Sequence, residues 1–227
     1  MTKNINFMPA KNEVVRDYLP ETDETLRLMN TINKMEKKTY EIPIIINGKE
    51  VYTHDFGKCV KPHYHQHTLA KYHKASPKEV KLAINSALNA WKTWSNTSLS
   101  ERTKIFRKAA KLLAGSWRDK INASTMLNQS KNVFQAEIDA ACELIDFFNF
   151  NCQFAEEIYN NQPLISPEGM HNKLEYRPLE GFIFAVSPFN FTSIAGNLPS
   201  APALMGNVAI WKPASSSVYS GFFIMQL

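Results

Sequence analysis

Two side chains in the last quarter of this chain have the type and setting for chemistry at a polarised oxygen. Asn190 stands in Ser187-Pro188-Phe189-Asn190-Phe191-Thr192, directly after an apolar run over residues 182–186. A carboxamide presented by a turn past a buried strand can donate a hydrogen bond to an oxygen that gains negative charge, as an oxyanion hole requires. It can equally brace its own turn, and the spacing leaves both readings open. Lys212 ends a second apolar run, Val208-Ala209-Ile210-Trp211, and precedes Pro213. An ammonium at a strand end suits a ribose hydroxyl or a phosphate, although a lone lysine there is commonly an ordinary surface residue. Gly196 and Gly206 do not form a G-x-G-x-x-G phosphate loop.

Other reactive types carry less. His54, His63, His65, His67 and His73 fall close together around Cys59, and in a strand His63, His65 and His67 would share one face. A second ligand group with a recognised spacing is missing, so no metal is expected. Cys142 and Cys152 sit in an apolar helical stripe and read as inert packing thiols. Glu137, Asp139, Glu143 and Asp146 on the same segment read as its solvated face.

The elements that must position Asn190 and Lys212 are a strand over 182–186, a turn, an uncharged helical segment and a strand over 208–211. Strand, turn, helix, strand is half of a nucleotide-binding α/β unit, and open sheets of that class bind ligands outside the carboxyl ends of their strands. Upstream, Ile42-Pro43-Ile44-Ile45-Ile46, Asn47-Gly48 and Lys49-Glu50-Val51-Tyr52 predict a hairpin with a type I′ turn. Ser76-Pro77-Lys78-Glu79 opens a helix with a capping box, and Val80, Ala83, Ile84, Ala87, Leu88 and Trp91 give it an apolar stripe. A second helix begins near Ser100, with Ile105, Phe106, Ala109, Leu112 and Leu113 inward and Gly115 as its stop. A short helix is expected over 120–128, a long one over 133–159 and a strand over 173–177. Residues 1–40 read as a polar arm with one helix over 22–37.

The 227 residues carry 26 Lys and Arg against 21 Asp and Glu, a net charge of +5 scattered along helices. That argues against a nucleic-acid surface. The uncharged run over 181–211 is interrupted by Pro188, Pro199 and Pro202, which argues against a membrane span. Three widely spaced cysteines imply no disulfide framework. The polar start, Met1-Thr2-Lys3-Asn4-Ile5-Asn6-Phe7, predicts no targeting signal and a cytoplasmic location.

Taken together, Gln135-Ala136-Glu137-Ile138-Asp139-Ala140-Ala141, Glu143-Leu144-Ile145-Asp146-Phe147-Phe148, Glu180-Gly181-Phe182, the Pro188-Phe189-Asn190-Phe191 turn, Gly196-Asn197-Leu198, Ala201-Pro202-Ala203-Leu204-Met205-Gly206-Asn207 and Trp211-Lys212-Pro213 resemble the L-glutamate γ-semialdehyde (1-pyrroline-5-carboxylate) dehydrogenases. These form a branch of the aldehyde dehydrogenase superfamily. The resemblance implies an α/β fold: an N-terminal helical arm (1–40) and hairpin, followed over 41–227 by the first strands of a Rossmann-like parallel sheet, incomplete. It implies NAD-dependent oxidation of the semialdehyde to glutamate in proline degradation, by thiolate attack, hydride transfer and thioester hydrolysis.

By the same resemblance Asn190 supplies the oxyanion-hole amide. Val186, Ser187, Pro188 and Phe189 line the nicotinamide side of the NAD channel. Lys212 binds the adenosine ribose, with Pro213, Ala214 and Ser215 beside it. Phe191 walls the substrate stem and Glu143 assists within the site. Family partners are a small aldehyde, no nucleic acid and no membrane, with homo-oligomers for the complete enzyme. Ser215 stands where many members carry an acid, which loosens any preference for NAD over NADP. The family's nucleophilic cysteine and general base belong to sequence not matched here. The resemblance therefore implies a truncated chain, inactive and poorly folded alone; the alternative is a non-catalytic remnant that binds a nucleotide or a partner.

Overall fold

The computed structural model describes residues 9–227, so residues 1–8, and with them the polar start over 1–7 read for targeting, lie outside the described part. Helix α1 (Asp23–Glu36) leads to three short strands, β1 (Tyr40–Ile42), β2 (Ile44–Ile46) and β3 (Lys49–Val51), then to β4 (Phe56–Lys61) and β5 (Tyr64–His73). The β2–β3 pair is the expected hairpin. Asn47 and Gly48 both take positive φ, 53° and 69°, as a type I′ turn demands. β1 belongs to a different sheet, where it runs parallel to β5, which is antiparallel to β4.

Four helices follow: α2 (Pro77–Trp94), α3 (Leu99–Ala114), α4 (Arg118–Gln129) and α5 (Val133–Ala136). Ser76 with Glu79, and Ser98 with Glu101, close reciprocal capping boxes at the starts of α2 and α3. The expected long helix is interrupted: residues Glu137–Cys142 form a π turn before α6 (Glu143–Asn160). β6 (Ile183–Val186), α7 (Thr192–Leu204), β7 (Ala209–Lys212) and α8 (Val218–Gln226) complete the chain.

The core lies where α4, α6 and α8 meet the β4–β5 sheet, around Leu69, Leu113, Ile121, Leu144, Ile145 and Tyr219. Tyr18, Leu28 and Met35, from the arm, pack into the same cluster. Gly196 lets α7 approach α6 closely, because a Cβ there would lie 2.8 Å from Leu144 Cδ1.

Several expectations are corrected. Residues 173–177 form no strand; Gln162 instead accepts from the Leu174 N–H at 2.9 Å and donates to its carbonyl at 3.2 Å, meeting the backbone demand that a ladder would have met. Ile105 is exposed, as are Val80 and Leu88 on α2, whose only fully buried residue is Ala87. β6 is buried on one face only: Ala185 is covered whereas Phe184 and Val186 are exposed.

Candidate functional site

The parallel register of β6 and β7 pairs Val186 with Lys212 at their carboxyl ends. Two hydrogen bonds lock the chain just past that edge: the Ser187 N–H donates to the Lys212 carbonyl at 3.3 Å, and Trp211 Nε1 donates to Ser187 Oγ at 2.9 Å. Ser187 is therefore buried and serves as a brace, whereas Val186, Phe189 and Asn190 stand exposed beside it. Lys212 is exposed too, and among the described residues its ammonium donates only to its neighbour's carbonyl, Pro213 O, at 3.3 Å. Pro213 and Ala214 are half-buried and Ser215 is exposed. The edge thus offers apolar surface beside one exposed cation.

Asn190 lies four residues beyond Val186, in the turn that feeds α7. Among the described residues its carboxamide makes no hydrogen bond, but its backbone carbonyl accepts from Lys131 Nζ at 2.5 Å. The same ammonium donates to Asp139 Oδ2 at 2.5 Å and sits 4.7 Å from the centre of the half-exposed Phe191 ring. Phe191, the residue before α7, provides no side-chain cap. Asp139 substitutes from the π turn, accepting from the Thr192 N–H at 3.2 Å. The Ser193 hydroxyl lies 3.0 Å from Asp139 Oδ1 and 2.8 Å from Glu143 Oε2. Two carboxylates at a helix N-terminus complement its partial positive charge. Thr192 is held in turn by Thr125 and Gln129, both at 2.8 Å.

The reading of the acidic groups as a solvated face is overturned. The π turn points both Glu137 and Asp139 inward, where each is almost completely buried. Glu137 faces the equally buried Arg118, whose Nε lies 3.1 and 3.2 Å from its two oxygens. Asn122 Nδ2 donates to it at 2.7 Å, the Tyr18 hydroxyl at 3.0 Å and the Arg16 N–H at 2.9 Å. Burial alone would raise the Glu137 carboxyl, but the Arg118 guanidinium and these donors hold it below the usual carboxylate range. Burial and the Glu137 charge push Tyr18 up to about 12.

The three cysteines are buried and unpaired. Burial pushes the Cys59 and Cys152 thiols up to about 11, and burial with the Glu137 charge takes Cys142 up to about 12. None supplies a thiolate at neutral pH. The histidines scatter: His63 bonds Ser130, His67 meets the Glu36 carbonyl and His73 lies between Thr53 and Glu41. Among the described residues no three His, Cys, Asp or Glu side chains gather as for a metal ion. No helix there is long and apolar enough to cross a membrane.

Of the residues singled out from sequence, Val186, Ser187, Pro188, Phe189, Asn190, Phe191, Lys212, Pro213, Ala214 and Ser215 lie along one sheet edge, and Glu143 reaches the turn through Ser193. Sequence reasoning missed Lys131, Asp139 and Ser193. The only available signal was Asp139 four residues before Glu143, a spacing that puts two acids on one helical face.

The aldehyde dehydrogenase family model matches residues 52–227. A protein named delta-1-pyrroline-5-carboxylate dehydrogenase from Agaricus bisporus is 46% identical over 220 residues, covering 96% of this chain and 40% of its own length. The human mitochondrial protein of that name is 40% identical over 225 residues, with 99% and 40% covered. The NAD-bound crystal structure of the Mycobacterium tuberculosis delta-pyrroline-5-carboxylate dehydrogenase superposes with a TM-score of 0.96 at 44% identity, over 100% of this chain and 42% of that one. The chain spans about 40% of the length of the curated relatives it matches.

Proposed function

Because this chain belongs to the aldehyde dehydrogenase family, we propose that it forms part of an enzyme that oxidises L-glutamate γ-semialdehyde, the open form of 1-pyrroline-5-carboxylate, to glutamate with NAD. The observation that carries this reading is the pairing of Val186 with Lys212 at the carboxyl edge, with Asn190 in the turn just beyond. That edge is where a parallel α/β sheet receives a nucleotide. The names and the bound NAD of the relatives support the same reading.

The exposed residues fit a dinucleotide. Lys212 supplies an exposed ammonium for ribose hydroxyls, flanked by Pro213, Ala214 and Ser215, and Val186, Pro188 and Phe189 supply apolar surface for a flat ring. NAD, when bound, accepts the hydride. The Asn190 carboxamide donates to the aldehyde oxygen as it gains charge, and a donor without a competing partner needs no reorganisation to do so. Phe191 shields the aliphatic stem of the substrate from water, while Glu143 assists through Ser193 from beneath the turn.

With every cysteine buried and its thiol raised, none of the three cysteines serves as the thiolate nucleophile. An NAD reduction assay on this chain with glutamate γ-semialdehyde should give no turnover. Joined in frame to the remaining length of the M. tuberculosis relative, it should reduce NAD, and Asn190→Ala should lower kcat by about 10²–10³-fold. A folded fusion that leaves the semialdehyde unoxidised contradicts the reading.

A further inference from the structure

We propose that Lys131 and Asp139 together hold Asn190 in its working orientation, and that this is what the π turn is for. The inference rests on the oxyanion role given to Asn190 above. The turn over 187–191 is pinned at one end by Ser187, through Lys212 and Trp211, and at the other by Asp139 on the Thr192 N–H. Between those points the Lys131 ammonium grips the Asn190 carbonyl and lies against the Phe191 ring, and the Phe191 carbonyl accepts from the Ala195 N–H at 3.0 Å. Lys131 is itself fixed by Asp139, whose side chain is 6% exposed against 17% for the lysine.

The pair does more than a cap would. A helix N-terminus next to a carboxylate needs no lysine, and a surface lysine needs no carbonyl from another turn. Here one carboxylate anchors both the first turn of α7 and the cation that grips the residue in front of it. The bond goes to the backbone carbonyl, so the carboxamide is left free while its peptide is fixed. A π turn widens the helix by one residue, and this one brings Asp139 inward to meet both partners. Lys131 and Asp139 are thus positioning residues, acting on the reaction only through Asn190.

The test uses Lys131→Met, which keeps the stem but removes the donor, and Lys131→Arg, which restores it. In the isotope-labelled 227-residue chain, ¹⁵N relaxation reads the backbone amides of residues 189–191. The expected result is a fall in order parameter from about 0.85 to below about 0.6 in the Met variant and recovery in the Arg variant, while the amide resonances of the core around Leu144 and Tyr219 stay in place. Unchanged order in the Met variant overturns the proposal. So does loss of order together with the whole fold in both variants, since that is a merely structural role.

In the fusion, Lys131→Met should lower kcat by about 10- to 100-fold with KM unchanged. If Asn190→Ala lowers kcat and Lys131→Met does not, the positioning inference alone fails. If Asn190→Ala leaves kcat intact while the Met variant still loosens the Asn190 backbone, the oxyanion reading fails and the positioning result stands.

Discussion

The ionic cluster around Glu137 and the carboxyl edge of β6–β7 differ in how far their groups are satisfied. In the cluster, Arg118, Asn122, Tyr18 and the Arg16 amide all donate to one carboxylate that water does not reach. At the edge, the Asn190 carboxamide has no partner among the described residues, Lys212 has only a neighbouring carbonyl, and Phe184, Val186 and Phe189 are exposed. A group that is fully engaged within the chain can stabilise it but has nothing left to offer a ligand. The difference fits a stabilising role for the first region and the proposed binding role for the second. They meet at the π turn, which gives Glu137 to one and Asp139 to the other.

The sharpest way to break this division is Arg118→Met. It leaves Glu137 buried and unpaired, a situation that costs roughly 3–5 kcal/mol, and urea unfolding of the chain should register that loss. A loss below about 1 kcal/mol would mean that the cluster is not what holds the fold.

Acid should act through the same carboxylate. Its folded-state value is depressed, so its contribution is complete above the unfolded value of about 4.3 and disappears as pH falls through the folded value. Stability measured by urea unfolding from about pH 6 to 3 should therefore fall less steeply in Glu137→Gln than in the parent chain. Equal slopes would remove Glu137 from the acid response.

Tyr18→Phe deletes one of several donors to Glu137 and should cost about 1 kcal/mol, read as a shift of the urea midpoint. At the edge, Val186→Ser and Lys212→Ala should change stability by less than about 0.5 kcal/mol. A larger loss from either would show that the edge supports the fold as the cluster does.

Much of this was legible in the sequence because it is local. Asn47-Gly48, the Ser76…Glu79 capping box and the β6–α7–β7 order follow from turn chemistry and periodicity within a few residues. Asn190 and Lys212 were visible because each follows an apolar run. The π turn was not. Helical periodicity across residues 133–159 reads as one α-helix with Glu137 and Asp139 on its solvated face, whereas both are buried within the π turn and the downstream residues Ile145, Phe148 and Cys152 are buried as expected. Arg118 and Glu13, 105 residues apart, pair only through tertiary folding. Residues 173–177 alternate like a strand yet have no ladder, because Gln162 satisfies Leu174 from the side.

The central claim is that Asn190 and Lys212 mark one rim of a single dinucleotide crevice. It is tested most directly by titrating the isotope-labelled chain with millimolar NAD and mapping the shifted amides. The account predicts changes concentrated at residues 186–190 and 212–215, abolished by Lys212→Ala while the core resonances stay in place. Shifts that gather instead around the histidine-bearing β4–β5 hairpin, or that survive Lys212→Ala unaltered, would contradict it.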